Sequence, residues 1–324
     1  MTDDVRVGVV GVGSMGRNHV RVYSELPGVD LVGVSDADTE AAAEVADQYQ
    51  IESLDLDDLF DRVDCASVAV PTQFHSQIAR QGIDAGIDLL VEKPFVDDLD
   101  EGRELAALAD ERDVLLQVGH IERFNPAVTA LFDIIDTVDP ISIEAERLGP
   151  PIERDIQDGV VKDLMIHDID ILLNLVDSEI ESLSAQGAAD GQYATAQIRF
   201  ENDTLGSLTA SRVTQRKVRK LTVTASDRLI ELDYLNQTIH IYRQSKPEFT
   251  GGTGDVYYRH QNVIEQPMIN SAEPLREELE AFVDASQNDL PPKVSALDAI
   301  EALEVTNRID ELARTRNQTT TNTT

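Results

Sequence analysis

An apolar run, a glycine string and a helical pattern follow one another directly near the start of the chain. Residues 5–10 predict a buried strand, Gly11-Val12-Gly13-Ser14-Met15-Gly16 comes next, and a helical pattern covers 14–26. In such a turn the first glycine permits the bend, the second lets the backbone approach a pyrophosphate, and the third allows close helix packing. The free N–H groups at the helix start also favour phosphate. The string therefore predicts a dinucleotide site, with a plain tight turn as the alternative. The residues concerned are Gly11, Gly13, Ser14, Met15 and Gly16.

Strand and helix signals alternate through the first 120 residues. The predicted strands are 5–10, 29–35, 65–70, 87–91 and 114–118, and predicted helices include 14–26 and 39–50. Repeated βα units with continuous apolar strands are typical of a parallel sheet covered on both faces. The sequence therefore predicts an α/β chain in which residues 1–120 form a doubly wound, nucleotide-binding domain.

From about residue 121 the pattern changes to longer alternating segments. These lie at 193–200, 205–212, 220–224, 229–233 and 238–242. Period-two alternation predicts antiparallel strands, and the accompanying helices would lie on one face. Helices are predicted after Asn125-Pro126 and at 164–176, 273–285 and 297–314, with a loop at 245–255. Residues 121–316 are thus predicted to form an α+β domain with a mainly antiparallel sheet, and 317–324 a disordered polar tail.

The charge of the chain is strongly negative, because 27 lysines and arginines face 61 aspartates and glutamates and leave −34. A field of this sign repels nucleic acid and anionic membranes, so neither is expected as a partner. An ordinary soluble protein that happens to be acidic is one interpretation. We favour adaptation to a salt-rich cytosol, since molar salt shortens the Debye length to about 3 Å and screens self-repulsion.

The remaining composition argues against several classes of protein. No stretch approaches the roughly 20 apolar residues of a membrane helix, and the acidic start Met1-Thr2-Asp3-Asp4 lacks the features of a signal peptide. The single cysteine, Cys65, lies in an apolar run and excludes an internal disulfide or a multi-cysteine metal site. A cytoplasmic protein without a bound metal is expected.

Asp36 ends the second predicted strand, twenty residues after Gly16. A carboxylate at this place accepts hydrogen bonds from the adenosine ribose hydroxyls and repels a 2′-phosphate. The following residues, Ala37 and Asp38, supply no arginine for such a phosphate. The sequence predicts NAD rather than NADP, unless Asp36 only caps the next helix.

A lysine stands where the predicted strand 87–91 ends, in Glu92-Lys93-Pro94. Ligands of doubly wound sheets bind at the carboxyl ends of the strands, so Glu92 and Lys93 are expected at the cofactor. Lys93 can donate to a reacting oxygen and stabilise its negative charge. A solvated Glu-Lys turn is the alternative, and Pro94 is a candidate for a cis peptide.

Asp163 and His167 lie four residues apart in a segment predicted to be helical, so they share one face. Asp170 and Asn174 extend this polar stripe, while most neighbouring positions are apolar and predict burial. His167 titrates near neutrality, which suits a general base that takes a hydroxyl proton, and Asp163 can orient it. A satisfied core histidine is the alternative. The nearby aspartate and the dinucleotide fold upstream favour the functional interpretation.

Three further segments are candidates for ligand contacts. Pro71, Thr72 and His75 follow the strand 65–70 and are expected near the cofactor. The segment 119–126 can line a cleft between domains, with Arg123 and Asn125 near the substrate, or it can act as a hinge. The basic run 216–220 is a charged edge strand or loop, or else it contacts an anionic substrate.

Taken together, these motifs resemble the glucose–fructose oxidoreductase/inositol dehydrogenase family (Gfo/Idh/MocA). The resemblance extends over about residues 5–314 and lies in the ordered combination of the glycine string, Glu92-Lys93-Pro94, the segment 119–126 and the Asp163–His167 pair. It implies a Rossmann domain and, over residues 121–316, a substrate-binding domain with an open sheet. That sheet often forms a dimer surface in the family, so a homodimer or homotetramer is expected. The resemblance also implies Lys93, Asp163 and His167 as the catalytic constellation, with His167 as the acid/base.

Within the family, Met15-Gly16-Arg17-Asn18-His19 and the segment 119–126 resemble the branch that oxidises the 3-hydroxyl of UDP-N-acetylglucosamine. Such a substrate needs cationic partners, for which Arg123, Arg147, Arg154 and the run 216–220 are candidates. The expected function is NAD-dependent oxidation of a secondary hydroxyl of a sugar or nucleotide sugar. A free-sugar or inositol dehydrogenase is the first alternative. A double-bond reductase of the biliverdin type and a non-catalytic NAD sensor or scaffold are the others.

Overall fold

The computed structural model describes residues 4–151, 159–244, 248–252, 255–259 and 262–315. The chain divides into two compact units. The first contains the residues up to Phe124 together with Ala272–Glu304, and the second contains Asn125–Ser271 and the residues from Val305 onward. No helix among the described residues is long and apolar enough to cross a membrane. The predicted tail 317–324 lies outside the described residues.

Nine α-helices and sixteen strands are found in the described part of the chain. The helices are α1 Ser14–Glu25, α2 Thr39–Tyr49, α3 Leu56–Phe60, α4 His75–Asp84, α5 Leu99–Arg112, α6 Pro126–Ile135, α7 Ile166–Leu175, α8 Pro274–Asn288 and α9 Ala296–Thr315.

The sheet of the first unit consists of six parallel strands in the order β3-β2-β1-β4-β5-β6. They are β1 Val5–Val10, β2 Val29–Ser35, β3 Glu52–Ser53, β4 Cys65–Val68, β5 Asp88–Glu92 and β6 Leu116–Gly119. The strand order reverses between β1 and β4, which is where ligands of doubly wound sheets bind. The predicted doubly wound fold is therefore confirmed.

Two cores cover the two faces of this sheet, because strand side chains alternate between them. Leu90 belongs to one core and Leu89 and Val91 to the other. Leu279 and Phe282 of α8 complete the core that contains Leu90. Residues 272–304 were assigned by the sequence to the second domain. That assignment is wrong, because the apolar face of α8 is buried in the first unit.

The sheet of the second unit has eight strands in the order β16-β13-β12-β11-β7-β10-β9-β8. They are β7 Pro140–Leu148, β8 Ile180–Ala188, β9 Tyr193–Phe200, β10 Leu205–Ser211, β11 Val218–Ala225, β12 Arg228–Asp233, β13 Thr238–Gln244 and β16 Asn262–Glu265. Only the pair β7–β10 is parallel among the pairings of this sheet. The prediction of a mainly antiparallel sheet is confirmed.

Two further strands, β14 Glu248–Gly252 and β15 Asp255–Arg259, form a separate antiparallel pair. The sequence predicted a loop at 245–255, and this prediction is wrong for the described residues there. Phe249 pairs with Tyr258 and Thr250 with Tyr257. Aromatic and β-branched residues favour strands, and the nearby glycines obscured that preference.

Candidate active site

The glycine turn lies between β1 and α1 in the first unit. Gly11 has a φ of +94°, and a Cβ at position 16 would lie 1.8 Å from the carbonyl oxygen of Gly11. At Gly13, by contrast, an added Cβ would have no heavy atom of the described residues within 4 Å. Gly11 and Gly16 are thus required by the fold, while Gly13 leaves open space. The first turn of α1 carries no acidic residue, so its N–H groups can receive phosphate oxygens.

Asp36 accepts hydrogen bonds from the backbone of the glycine turn and from the backbone of its own loop. Its Oδ2 accepts a hydrogen bond from the Val12 N–H at 2.6 Å, and its Oδ1 accepts one from the Asp38 N–H at 2.8 Å. The cap of α2 is Asp38, whose side chain accepts from the Ala41 N–H at 3.1 Å. Asp36 is therefore not the helix cap, which was the alternative interpretation of this residue.

A cavity of about 920 Å³ opens beside the glycine turn. Its lining includes Gly11, Gly13, Asp36 and Pro71, four of the predicted cofactor residues. The lining residues that were not predicted to bind the cofactor include Asp38, Asp55, Leu56, Phe74, Gln77, Ile78 and Gln81. Four of these, from Phe74 to Gln81, have the spacing i, i+3, i+4, i+7, which marks one helical face. That spacing was the signal available in the sequence.

His75 comes directly after Phe74, which lines the cavity. The side chain of His75 is itself buried and does not line the cavity. Its Nδ1 lies 3.0 Å from the carbonyl oxygen of Pro94, and its Nε2 lies 2.9 Å from that of Val70. The predicted residues Ser14, Met15 and Thr72 are near in sequence, but they do not line the cavity. His75 therefore connects two loops at the carboxyl edge of the sheet.

Lys93 follows β5 directly and precedes Pro94 through a cis peptide bond. Its side chain is partly exposed, and its backbone N–H donates to Glu92 Oε2 at 3.3 Å. The carboxyl of Glu92 is buried, and its Oε1 lies 3.0 Å from His19 Nε2. Glu92 thus interacts with the protein interior in this structure.

In the second unit, the segment Val161–Met165 is a π-helix that continues into α7. The Ile166 N–H donates to the carbonyl of Val161, five residues earlier. Single π-helical turns within α-helices are frequent at functional sites. Asp163 lies in this turn and His167 in the first turn of α7, and both side chains are partly exposed.

Two arginines from neighbouring strands bind the aspartates that flank His167. Arg147 of β7 forms a bidentate pair with Asp168, with Nε–Oδ2 and Nη2–Oδ1 distances of 2.8 Å. Arg212 follows β10, is buried, and forms an ion pair with Asp163. Because β7 and β10 are parallel neighbours, both guanidinium groups reach the helix from the carboxyl ends of these two strands. The helix carrying His167 is therefore attached to the sheet by two ion pairs.

Comparison with known proteins adds to this geometry. Residues 5–120 match the model described as "Oxidoreductase family, NAD-binding Rossmann fold". Residues 146–231 match the Gfo/Idh/MocA C-terminal domain. The chain belongs to the Gfo/Idh/MocA oxidoreductase family.

Named relatives of this Gfo/Idh/MocA protein are dehydrogenases. UDP-N-acetylglucosamine 3-dehydrogenase of Acidithiobacillus ferrooxidans is 37% identical over 77% of this chain and 80% of its own. The scyllo-inositol 2-dehydrogenase (NAD(+)) of Bacillus subtilis is 30% identical over 65% and 68%. A solved structure of the Acidithiobacillus enzyme has a TM-score of 0.86 at 32% identity, covering 96% of this chain and 98% of its own. The protein is thus a dehydrogenase acting on a CH–OH group.

The cradle beside the glycine turn fits the NAD(H) that the family match supports. It combines open space at Gly13, a helix start without acidic residues, and a cavity lined by apolar, amide and carboxylate side chains. Gly11, Gly13, Asp36 and the exposed face of α4 would hold the cofactor. Among the described residues, no group of three or more His, Cys, Asp or Glu side chains is placed to hold a metal.

The other predicted substrate residues of this oxidoreductase have different surroundings. Arg123 is buried, with its Nη1 3.7 Å from Asp298 Oδ2. Asn125 caps α6 and donates to the Tyr234 carbonyl at 3.1 Å. In the basic run, Arg216, Lys217 and Lys220 are exposed. Arg154 lies outside the described residues.

Proposed function

We propose that this protein oxidises a secondary hydroxyl of a nucleotide sugar with NAD, and that the group oxidised is the 3-hydroxyl of UDP-N-acetylglucosamine. The observation that carries the proposal is the similarity to the Acidithiobacillus enzyme along both units, with 96% of the chain aligned. Six more distant solved structures are 18–21% identical to this chain, and they support the fold alone.

The chemistry is assigned to Lys93, Asp163 and His167. A nicotinamide held beside the glycine turn would supply the acceptor for the hydride of the carbinol carbon. His167 takes the hydroxyl proton as a general base, and Lys93 donates to the same oxygen and stabilises its developing negative charge. Asp163 orients His167 and stabilises the imidazolium that forms. Arg212 contacts Asp163 and is assigned the role of holding that carboxylate in place.

A UDP group requires cations, which are scarce in a chain with a charge of −34. Arg216, Lys217 and Lys220 are the best candidates, because all three are exposed and lie close together in sequence. Arg147 was also a candidate, but it is buried against Asp168 and stacks on Tyr234 with a distance of 5.2 Å to the ring centroid. We therefore assign the diphosphate to the basic run.

The preference for NAD over NADP is supported by the charge of the cavity. Asp36, Asp38 and Asp55 contribute to its lining, whereas no lysine or arginine of the described residues does so. A 2′-phosphate would approach these carboxylates without a cationic partner. We expect a higher kcat/KM with NAD than with NADP in a direct comparison, and equal values would contradict the assignment.

Oxidation of a free sugar or an inositol is the second candidate. It is favoured by relatives named inositol dehydrogenases, which are 28–31% identical to this chain. The two candidates share the chemistry of Lys93 and His167 and differ in the anchoring of the substrate. Only the nucleotide sugar uses the basic run.

The test is NADH formation at 340 nm in molar KCl across free sugars, inositols, sugar phosphates and UDP-sugars. Activity confined to UDP-N-acetylhexosamines is expected, and Arg216→Gln should then raise KM for the UDP-sugar. Activity on free sugars or inositols would retain the mechanism and reject the nucleotide sugar. If no compound of the panel gave NADH although the protein still bound NADH, the result would favour the reductase or the sensor alternative.

We also propose that the protein is a homodimer or homotetramer that associates through the eight-stranded sheet. Its strands alternate buried and accessible residues, as in β7, where Ile143 and Ala145 are buried and Glu144 and Glu146 are exposed. Light scattering after size exclusion in molar KCl should give a multiple of 35.7 kDa. A monomer would reject this proposal.

A further inference from the structure

His19 lies on the second turn of α1, the helix that follows the glycine turn. Its imidazole is 0% exposed, and its Nε2 lies 3.0 Å from Oε1 of Glu92, the last residue of β5. Burial of a polar side chain is costly unless it is hydrogen-bonded, so this contact holds the two side chains together. Neither the cofactor site nor the chemistry assigned to Lys93, Asp163 and His167 explains a buried histidine at this position.

The carboxylate of Glu92 has a different partner on each oxygen. Its Oε1 faces His19, and its Oε2 accepts a hydrogen bond from the Lys93 N–H at 3.3 Å. On the neighbouring strand β6, a Cβ at position 119 would lie 3.2 Å from the carboxyl carbon and from Oε2 of Glu92. Gly119 thus leaves the room that the carboxylate occupies. His19 and the backbone of Lys93 are therefore connected through a single side chain.

The orientation of the His19 ring depends on its other neighbours on α1 and β4. Tyr23, four residues later on α1, meets the ring edge to face, with ring centroids 6.3 Å apart and planes at 77°. The Tyr23 hydroxyl lies 2.7 Å from Ser67 Oγ on β4. His19 Nδ1 has no hydrogen-bond partner among the described residues, and a carboxylate can only accept, so we assign the ring proton to Nε2. His19 is thus the donor and Glu92 the acceptor.

We propose, on the basis of the role assigned to Lys93, that His19 is a positioning residue that holds Glu92 and, through it, the backbone of Lys93. A catalytic group that is displaced by about 1 Å can lose about 10²-fold in rate, so an anchor for the lysine backbone matters although it contacts no substrate. Because His19 lies on the helix that follows the glycine turn, its bond to Glu92 also connects the helix assigned to the cofactor phosphates with the strand that precedes Lys93.

The first test compares two substitutions of His19 that separate a hydrogen-bond donor from ring packing. His19→Gln offers an amide N–H in place of the Nε2–H but removes the ring, whereas His19→Phe keeps a ring against Tyr23 but has no donor. His19→Phe should lower kcat about 10–100-fold, the scale of a misplaced catalytic group, while His19→Gln should keep most of the wild-type value. NADH binding should persist in both variants, because Val20 and Val22 are buried in the core and hold α1 in place.

The second test uses Glu92→Gln, which preserves the shape of the acceptor and serves even if His19→Phe fails to fold. The amide has one acceptor oxygen, so it cannot accept from His19 and Lys93 on separate oxygens. The kcat should fall as in His19→Phe, and the double variant should show little further loss, because both changes interrupt the same connection. Glu101→Gln, at an exposed position of the same unit, should behave like the wild type.

The third test observes the Lys93 turn without catalysis. The chain has six lysines, so a spectrum of ¹⁵N-lysine amides in molar KCl is sparse, and Lys93→Arg assigns the signal of interest. The Lys93 amide signal should move in His19→Phe and in Glu92→Gln. It should stay near its wild-type position in His19→Gln and in Glu101→Gln.

Two results would overturn the proposal. One is a kcat in His19→Gln that is no higher than in His19→Phe, which would leave His19 as a packing residue. The other is a Lys93 amide signal that does not move in Glu92→Gln. If the protein oxidised no hydroxyl at all, the proposed function would fail, whereas the amide signal would still decide whether His19 and Glu92 hold the Lys93 turn.

Discussion

The two units of this protein bury acidic side chains in opposite ways. In the second unit, Asp168 is 2% exposed and shares two hydrogen bonds with the guanidinium of Arg147. In the first unit, Glu278 is 0% exposed, and its oxygens have no hydrogen-bond partner in the part of the chain that the structure describes. Burial of a carboxylate is costly in both places. An ion pair with Arg147 offsets this cost in the second unit, whereas in the first unit burial raises the pKa of Glu278 well above its usual range.

The two units should therefore respond oppositely to the removal of one group. Loss of an arginine in the second unit leaves a buried carboxylate without that cation. Glu278→Gln in the first unit removes a carboxyl group whose charged form is already disfavoured by burial. Single substitutions in each unit test this contrast.

The largest effect is expected on turnover, for the residues to which the chemistry is assigned under the proposed function. Lys93→Ala and His167→Ala should each lower kcat by about 10²–10⁴, the range of acid–base losses, while NADH still binds. Steady-state kinetics with the substrate identified by the panel measures this, and His240→Ala on β13 is the control. Normal turnover in both variants would end the assignment of catalytic roles.

Removal of Arg147 should have the largest effect on stability. Arg147→Ala leaves Asp168 buried beside the vacated position and should cost about 3–5 kcal/mol of unfolding free energy in urea denaturation. Arg199→Ala, which removes the exposed pairs with Glu181 and Asp203 of the same unit, should cost at most about 1 kcal/mol. Replacement of both Arg147 and Asp168 by apolar residues should recover most of the loss. Equal losses of unfolding free energy in Arg147→Ala and Arg199→Ala would contradict the idea that burial makes the Arg147 pair more important for stability.

Arg212 should affect the rate more than the stability. Its partner Asp163 is 29% exposed, so water can replace part of the lost interaction. Arg212→Gln should lower kcat about 10–100-fold, the rate equivalent of the 1.5–3 kcal/mol typical of a hydrogen bond to a charged group. KM should change little, and Arg228→Gln, which disrupts an exposed pair with Asp227, is the control. An unchanged kcat would limit Arg212 to a structural role.

Salt should have the smallest effect per residue, although it acts on the whole surface. Exposed pairs such as Arg62–Glu52 and Arg80–Glu104 contribute little each, so they do not offset the repulsion of a −34 chain in dilute buffer. The melting temperature should rise from dilute buffer to molar KCl, with a similar slope in Arg147→Ala because the buried pair is poorly screened. Full stability without salt would contradict adaptation to a salt-rich cytosol.

Local patterns account for the elements that were predicted well. The first strand at 5–10 and the second at 29–35 agree with β1 and β2, because buried parallel strands are continuous apolar runs. β7 was missed, because its inward-facing residues Ile143, Ala145 and Arg147 include a charged side chain. The placement of α8 was also wrong, since no local pattern indicates which of two cores an amphipathic helix will join.

By itself, the sequence determined the family, the dehydrogenase class and the glycine turn, because these depend on residues close together along the chain. It also indicated Lys93, Asp163 and His167, whose roles remain predictions. Only the tertiary structure decided which groups surround them. Arg212 reaches Asp163 across 49 residues, and His19 reaches Glu92 across 73. Such pairs arise from strand order and helix packing, and the cost of burying a charge becomes apparent only when its neighbours in space are known.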